Sequence, residues 1–177
     1  LMINTGNNRN LEENNDIAIK NGLELDIAPG LKAHLNYAYR TKAEHVMHRR
    51  AGGVYSNGPD KFTEVNTGYF INRLAEIDSR SYRNTFEAYA DYARRFATDH
   101  NFKVMAGVQY DHHNKRTKSV SREGLVSDEL DDFDLATGET YTLTGGKTAS
   151  KTLGVFGRVN YDYAGRYLVE LSARGDG

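Results

Sequence analysis

Six long stretches in which apolar and polar residues alternate are the feature that most constrains the fold of this sequence. The first runs from Ile17 to Ile27, and after Pro29-Gly30 the second runs from Leu31 to Tyr39. Alternation with period two is typical of β-strands that have one apolar face. The pattern gives three strand pairs, at about 15–40, 82–111 and 151–175. The sequence therefore predicts an all-β, antiparallel up-and-down meander of six long strands.

Strand length and the spacing of the connections indicate the environment. Strands in soluble proteins average about five or six residues, whereas a tilted strand that crosses a bilayer needs about nine to eleven. Three connections are short turns, and two are long, at about 41–81 and 112–150. Transmembrane β-barrels combine short periplasmic turns with long extracellular loops in this way. We expect 41–81 and 112–150 to be extracellular loops.

Composition excludes several other classes of protein. The chain has 38% hydrophobic residues and a mean hydropathy of −0.69, with no apolar run long enough for a transmembrane helix. Strands tolerate this polarity because only alternate residues face lipid. A net charge of −1 gives no reason to expect nucleic-acid binding. The absence of cysteine excludes disulfides and thiolate metal sites.

Aromatic residues on the apolar face form two predicted belts, as at the two interfaces of a membrane barrel. One lies near the short turns (Tyr92, Phe96, Phe102, Tyr161, Tyr163, Tyr167) and one at the opposite ends (Tyr37, Tyr39, Tyr82, Phe86, Tyr110). Arg94 has the same parity and would have to snorkel. Six strands are too few to close a membrane barrel, which needs at least eight. We therefore expect a segment of a larger barrel.

The last strand pair carries the most specific motif. It contains Phe156-Gly157-Arg158, then Asn160-Tyr161-Asp162-Tyr163, a turn, and a strand that ends in Arg174-Gly175-Asp176-Gly177. This segment resembles the SusC-like TonB-dependent transporters of Bacteroidetes (the RagA/SusC family), in which the motif continues beyond the position of Gly177. The hairpins at 21–39 and 86–107 resemble upstream parts of the same family. The resemblance implies structural roles for the motif residues Gly157, Arg158, Asn160, Tyr161, Tyr163, Arg174, Asp176 and Gly177.

The resemblance also implies the wider assembly. It predicts a transmembrane barrel of about 22 strands with a plugged lumen, located in the bacterial outer membrane and in contact with its lipid. The implied partners are TonB, reached through a plug domain, and a SusD-like surface lipoprotein. Neither a plug domain nor a TonB box is present in these residues. No cofactor is implied.

Candidate binding residues are the aromatics of the long connections, whose flat faces suit sugar rings. The candidates for substrate or partner contact are Tyr69, Phe70, Phe133 and Tyr141. The alternative is that these side chains pack the loops together. The charged residues of the polar face, from Lys20 to Arg174, form either a polar translocation path or cross-strand ion pairs of a barrel wall.

The sequence contains no motif that indicates an enzyme active site or a metal site. The acidic run 128–134 lacks the central glycine and the alternating aspartates of a calcium loop. His112-His113 point to opposite faces of one strand, which excludes them as a ligand pair. We therefore expect no enzyme, no metal site and no cofactor. The favoured function is nutrient import of oligosaccharides or peptides, and the alternatives are a glycan-binding β-sheet module of the cell surface and a passive porin-like barrel.

Overall fold

The computed structural model describes residues 2–3, 8–59, 61–65, 72–127 and 129–177, and this part of the chain is almost entirely β-structure. Its strands are β1 (Met2–Ile3), β2 (Arg9–Ala28), β3 (Leu31–Arg50), β4 (Gly53–Gly58), β5 (Lys61–Val65), β6 (Arg73–Phe96), β7 (His100–Glu123), β8 (Tyr141–Tyr163) and β9 (Tyr167–Asp176). A single-turn 3₁₀ helix spans Phe133–Leu135. The described chain contains no helix with the length and apolarity that a bilayer crossing requires.

The long strands form one antiparallel sheet in the order β2-β3-β6-β7-β8-β9, and β1-β4-β5 form a small second sheet, counted over the described residues. Neighbours in the large sheet are consecutive along the chain apart from the short strands, so the up-and-down meander is confirmed. Between β8 and β9 the register pairs Gly154 with Asp176 and Tyr163 with Tyr167. The sheet is open, with β2 and β9 as its edges.

The strands extend beyond the ranges that alternation predicts. β3 continues to Arg50, β6 begins at Arg73, β7 continues to Glu123 and β8 begins at Tyr141. The connections between long strands are therefore shorter than the expected 41–81 and 112–150. The added strand residues, such as Lys42–Arg50, are mostly polar on both faces. Alternation reports a strand only where one face is apolar, and for this reason these extensions leave no trace in the sequence pattern.

The chain divides into two compact units. The first comprises 1–16, 42–80 and 115–147, and the second comprises 17–41, 81–114 and 148–177. The ranges of the second unit lie within three residues of the three strand pairs predicted from the sequence. Within it, β3 runs from 31 to 41, which matches the length of about nine to eleven residues that a tilted strand needs to cross a bilayer.

Buried apolar side chains among the described residues lie in the first unit. Leu74 is fully buried and packs with Leu125 and Ala136, with Met47 and Phe133 against them. The second unit instead carries large apolar side chains on one surface, which we call the apolar face (Ile17, Ile19, Leu23, Leu25, Ile27, Leu35, Tyr37, Tyr82, Phe86, Val108, Tyr110, Leu153, Val155, Val159, Tyr161, Tyr163, Val169, Leu171). An exposed apolar surface of this extent marks a membrane or protein interaction site.

The tight turns follow from local chemistry. Pro29-Gly30 places proline second and a glycine with φ of +81° third, as a type II turn requires. At the last turn Ala164 and Gly165 both have positive φ, and the Arg166 amide donates to the Tyr163 carbonyl at 2.9 Å, which defines a type I′ hairpin turn. The Asp162 carboxylate accepts a hydrogen bond from the Gly165 amide at 2.8 Å and holds this turn.

Candidate functional site

Charges on the opposite surface of the second unit, the polar face, pair across strands. Lys32 Nζ lies 2.5 Å from Glu24 and 3.5 Å from Asp26. Asp91 accepts from His34 Nε2 at 2.7 Å and lies 3.9 Å from Lys103. Pairs of this kind stabilise a sheet modestly and satisfy its charges. For these residues the structure favours cross-strand ion pairs of a barrel wall over a polar translocation path of free charges.

A row of rings crosses the polar face above a glycine. His34 stacks on Tyr89 at 4.4 Å between centroids, and Tyr89 lies 6.4 Å from Phe156. Gly107 lies beneath them on β7. A Cβ added at Gly107 would lie 2.4 Å from Tyr89 Cβ and 2.7 Å from the Ala88 carbonyl oxygen. The row is therefore possible only because residue 107 has no side chain.

Replacing Gly107 with alanine is expected to destabilise the barrel by about 1–3 kcal/mol, the usual cost of overpacking. The backbone oxygen of Ala88 cannot move away without disturbing the ladder. Gly157→Ala is the matched control, because its Cβ would meet only the Met105 carbonyl at an ordinary 3.5 Å. Thermal unfolding of the purified full-length protein in detergent gives the melting temperatures of both variants. Equal melting temperatures for the two variants would contradict the assignment.

The motif residues of β8 and β9 contact one another. Arg174 Nε lies 2.9 Å from both carboxylate oxygens of Asp176, and Arg174 Nη1 donates to Gln109 at 3.0 Å. A Cβ at Gly154 would lie 2.4 Å from Asp176 and would displace this pair. Arg158 lies 3.6 Å from Glu170 across the hairpin. These contacts favour structural roles for Arg158, Arg174 and Asp176, as the resemblance implies.

The other motif residues lie on the same hairpin. The Asn160 amide lies 3.1 Å from Glu170 Oε2. Gly157 pairs with Ala173, and Gly177 exchanges two backbone hydrogen bonds of 3.0 Å with Leu153. At the turn end, the Tyr161 hydroxyl lies 2.7 Å from His100 Nδ1, and the ring of Tyr163 lies 4.9 Å from that of His100.

Arg94, which carries a charge on the apolar face, lies within the predicted belt near the turns. Its guanidinium sits 5.1 Å from the centroid of the Phe96 ring, and Nη1 lies 3.5 Å from the Tyr92 hydroxyl. A cation that packs on aromatic rings is suited to a membrane–water interface. The position of Arg94 is therefore compatible with the belt.

The four loop aromatics predicted as contacts have different surroundings. Tyr69 and Phe70 lie outside the described residues. Phe133 opens the 3₁₀ helix and is half-buried against Leu74, Leu125 and Ala136. Tyr141 begins β8 and is 71% exposed. Phe133 thus packs the loop, whereas Tyr141 remains accessible for a partner or substrate.

A buried arginine that no motif in the sequence reveals organises the first unit. Arg49 is 1% exposed and donates to Asn72 Oδ1 at 2.5 Å and to the Ser127 carbonyl at 2.8 Å. Its Nε lies 3.2 Å from Asp131, which also pairs with Arg9 at 2.6 Å. Asn72 in turn donates to the Leu125 carbonyl at 2.9 Å. Arg49 therefore ties the segment after β7 to β3 and to the start of β6, and Arg9 links the same segment to β2 through Asp131.

The acidic run 128–134 contributes to the contacts around Arg49. Asp128 lies outside the described residues. Asp131 is occupied by the two arginines, and Asp132 caps the 3₁₀ helix by accepting from the Asp134 amide at 2.9 Å. Among the described residues, no three histidine or acidic side chains converge on a position that could hold a metal ion.

One ionisable pair of the first unit gives a pH prediction. His45 Nδ1 lies 2.9 Å from Asp78, and this hydrogen bond, helped by the charges of Asp78, Glu76 and Glu13, raises the pKa of His45 above 6.5. Because the folded-state pKa is the higher one, the pair stabilises the fold fully below about pH 6.5, and this contribution is lost as the pH rises through the folded pKa.

The expected result is a His45 imidazole that titrates above the ordinary histidine range and returns to it in Asp78→Asn. NMR of histidine-labelled protein measures both values. A His45 pKa that Asp78→Asn does not lower would refute the assigned cause.

Comparison with known proteins shows which proteins this sheet is similar to. No protein-family model matches the chain. A curated relative, TonB-dependent receptor P3 of Formosa agariphila, is 29% identical over 123 residues, which is 68% of this chain and 12% of the relative. The RagAB peptide importer in its open-open state superposes with a TM-score of 0.79 at 16% identity over 96% of this chain and 18% of its own. A second RagAB peptide transporter structure gives 0.75 at 15% identity.

The chain matches a barrel segment of SusC-like TonB-dependent transporters. The resemblance drawn from the motif of β8 and β9 is thereby confirmed. These relatives are receptors and importers, not enzymes. The chain spans about an eighth of the curated relative and less than a fifth of the solved importers.

Proposed function

We propose that this chain is a wall segment of a bacterial outer-membrane transporter that imports nutrients in TonB-dependent fashion. The supporting observation is the second unit, in which a lipid-length apolar face backs a polar face of paired charges. A sheet of this kind needs lipid on one side and a polar lumen on the other. The relatives, a TonB-dependent receptor and peptide importers, support the same role.

The open edges of the sheet support a larger barrel. All residues of β2 and β9 are exposed, and each strand pairs on one side only within the described residues. Unpaired backbone groups in lipid cost several kcal/mol each. Further strands of the same barrel would satisfy them. The SusC-like resemblance adds a plug domain, TonB and a SusD-like surface lipoprotein as partners.

Peptides are the first candidate substrate, because the solved importers that share the fold are described as peptide importers. Oligosaccharides are the second. The full-length protein, expressed in cells that lack it, is tested with fluorescent peptides and oligosaccharides with and without a protonophore. We expect uptake that the protonophore abolishes and a lipoprotein that copurifies. Protonophore-insensitive uptake would indicate a passive pore, and surface binding without uptake would indicate a glycan-binding module.

A further inference from the structure

A cavity of about 620 Å³ lies on one surface of the first unit. Side chains from β2, β3, β6 and β7 converge on it, among them Asn10, His48, Arg50, Arg73, Ile77 and Ser121. This volume lies within the range of about 300–1,000 Å³ that is usual for small-ligand sites. The cavity is distinct from the paired charges of the second unit.

The cavity is cationic, and no carboxylate lines it among the described residues. Arg73 donates to Ser121 Oγ at 2.9 Å, and its Nε is buried without a hydrogen-bond partner in the described part of the chain. Arg50 is exposed, and no described acidic side chain forms an ion pair with either guanidinium. The carboxylate that contacts the neighbouring Arg49, Asp131, is shared with Arg9. Both guanidinium groups therefore line the cavity without a carboxylate counterion among the described residues.

The remaining lining groups narrow the chemistry of that anion. A guanidinium prefers planar carboxylates or phosphates, which it binds through paired hydrogen bonds. Asn10, which contacts His48 at 2.9 Å, and Ser121 add polar groups of the kind that bind peptide amides. Ile77 adds apolar surface. The mixture suits a short peptide with an acidic side chain or a free C-terminus.

We propose that this cavity binds a carboxylate of an imported acidic oligopeptide, with Arg50 and Arg73 as the anion-recognising residues. The inference rests on the proposed function and deepens it by naming the substrate class. Arg49 also lines the cavity, and its guanidinium lies 3.2 Å from Asp131. The site then favours acidic over neutral peptides.

The test measures peptide binding to the purified full-length protein in detergent. The probes are a short glutamate-containing peptide with an uncharged fluorophore and its glutamine analogue. Arg50→Gln and Arg73→Gln are each expected to weaken binding of the glutamate peptide by about tenfold to a hundredfold, the loss usual for a charged hydrogen bond. Binding of the glutamine peptide is expected to stay within about twofold. Arg80→Gln is the matched control, because Arg80 lies on the same strand, is exposed and is of opposite parity to Arg73.

Each outcome decides a separate claim. Equal affinity of the wild-type protein for the two peptides, equal weakening of both by Arg73→Gln, or an equal effect of Arg80→Gln would overturn the carboxylate site. Selective binding of a uronic-acid oligosaccharide in place of the glutamate peptide would overturn the peptide assignment. Selective peptide binding without energy-dependent uptake in cells would support the site and overturn the transport function instead.

Discussion

Replacing Arg49 with alanine is expected to release the segment 124–139 from the rest of the first unit. Arg49 holds the Ser127 carbonyl, Asn72 and Asp131 at once, and it is almost completely buried. The substitution takes the buried guanidinium donor away from the Ser127 carbonyl and from Asn72 Oδ1, at a cost of about 1–3 kcal/mol each, while Asp131 keeps Arg9 as its counterion. We expect a local opening, since the strands on both sides keep their backbone ladder.

Hydrogen exchange measured by mass spectrometry reports that opening directly. Amides at 124–139, such as those of Val126 and Ala136, are expected to exchange at least a hundredfold faster in Arg49→Ala, as about 3 kcal/mol requires. Arg50→Ala is the matched control, since Arg50 is adjacent and exposed. Unchanged exchange in Arg49→Ala, or the same change in Arg50→Ala, would show that Arg49 does not fasten this segment.

Replacing Leu35 with arginine is expected to impair assembly of the barrel. Leu35 lies on the apolar face near the middle of the part of β3 that belongs to the second unit. Arginine at the bilayer midplane of a barrel costs about 2–4 kcal/mol. The neighbouring substitution Asn36→Arg makes the same charge change on the polar face, where residue 36 lies next to Gly22, and is expected to be tolerated.

The two variants are compared by the amount of folded protein in the outer-membrane fraction. Folded barrels are distinguished there because they resist unfolding by cold dodecyl sulfate. We expect a clear reduction for Leu35→Arg and near wild-type levels for Asn36→Arg. Equal yields would mean that Leu35 faces water or protein rather than lipid. A loss confined to Asn36→Arg would reverse the assignment of the two faces.

The parts of the fold that the sequence predicts are those where one face is apolar. Ile17–Ile27 and Leu31–Tyr39 alternate because one side of each is apolar and the other polar, and Pro29-Gly30 and Ala164-Gly165 mark the turns by their backbone preferences. The motif from Gly157 to Gly177 further indicates the family. These features give the meander and the ranges of the second unit.

The first unit was not predictable in the same way. Lys42–Arg50 and Lys115–Glu123 are mostly polar on both faces, so their strands depend on hydrogen bonds to neighbours that the local sequence does not reveal. Arg49 and Arg50 are adjacent and identical in type, yet one is buried and the other is exposed. Which arginine is buried depends on Asn72 and Asp131, both distant in sequence. The cationic cavity depends on the same long-range contacts.

A cysteine scan along β3 reports whether this strand crosses the bilayer with its odd-numbered residues toward lipid. The chain has no cysteine, so spin labels placed singly from residue 31 to residue 41 report each position in the full-length protein in outer membranes. We predict collision rates with lipid-soluble oxygen that peak at the odd positions, including Leu35 and Tyr37, and collision rates with a water-soluble nickel chelate that peak at the even ones. Loss of the period of two, or water access at Leu35 and Tyr37 equal to that at Asn36, would contradict the account.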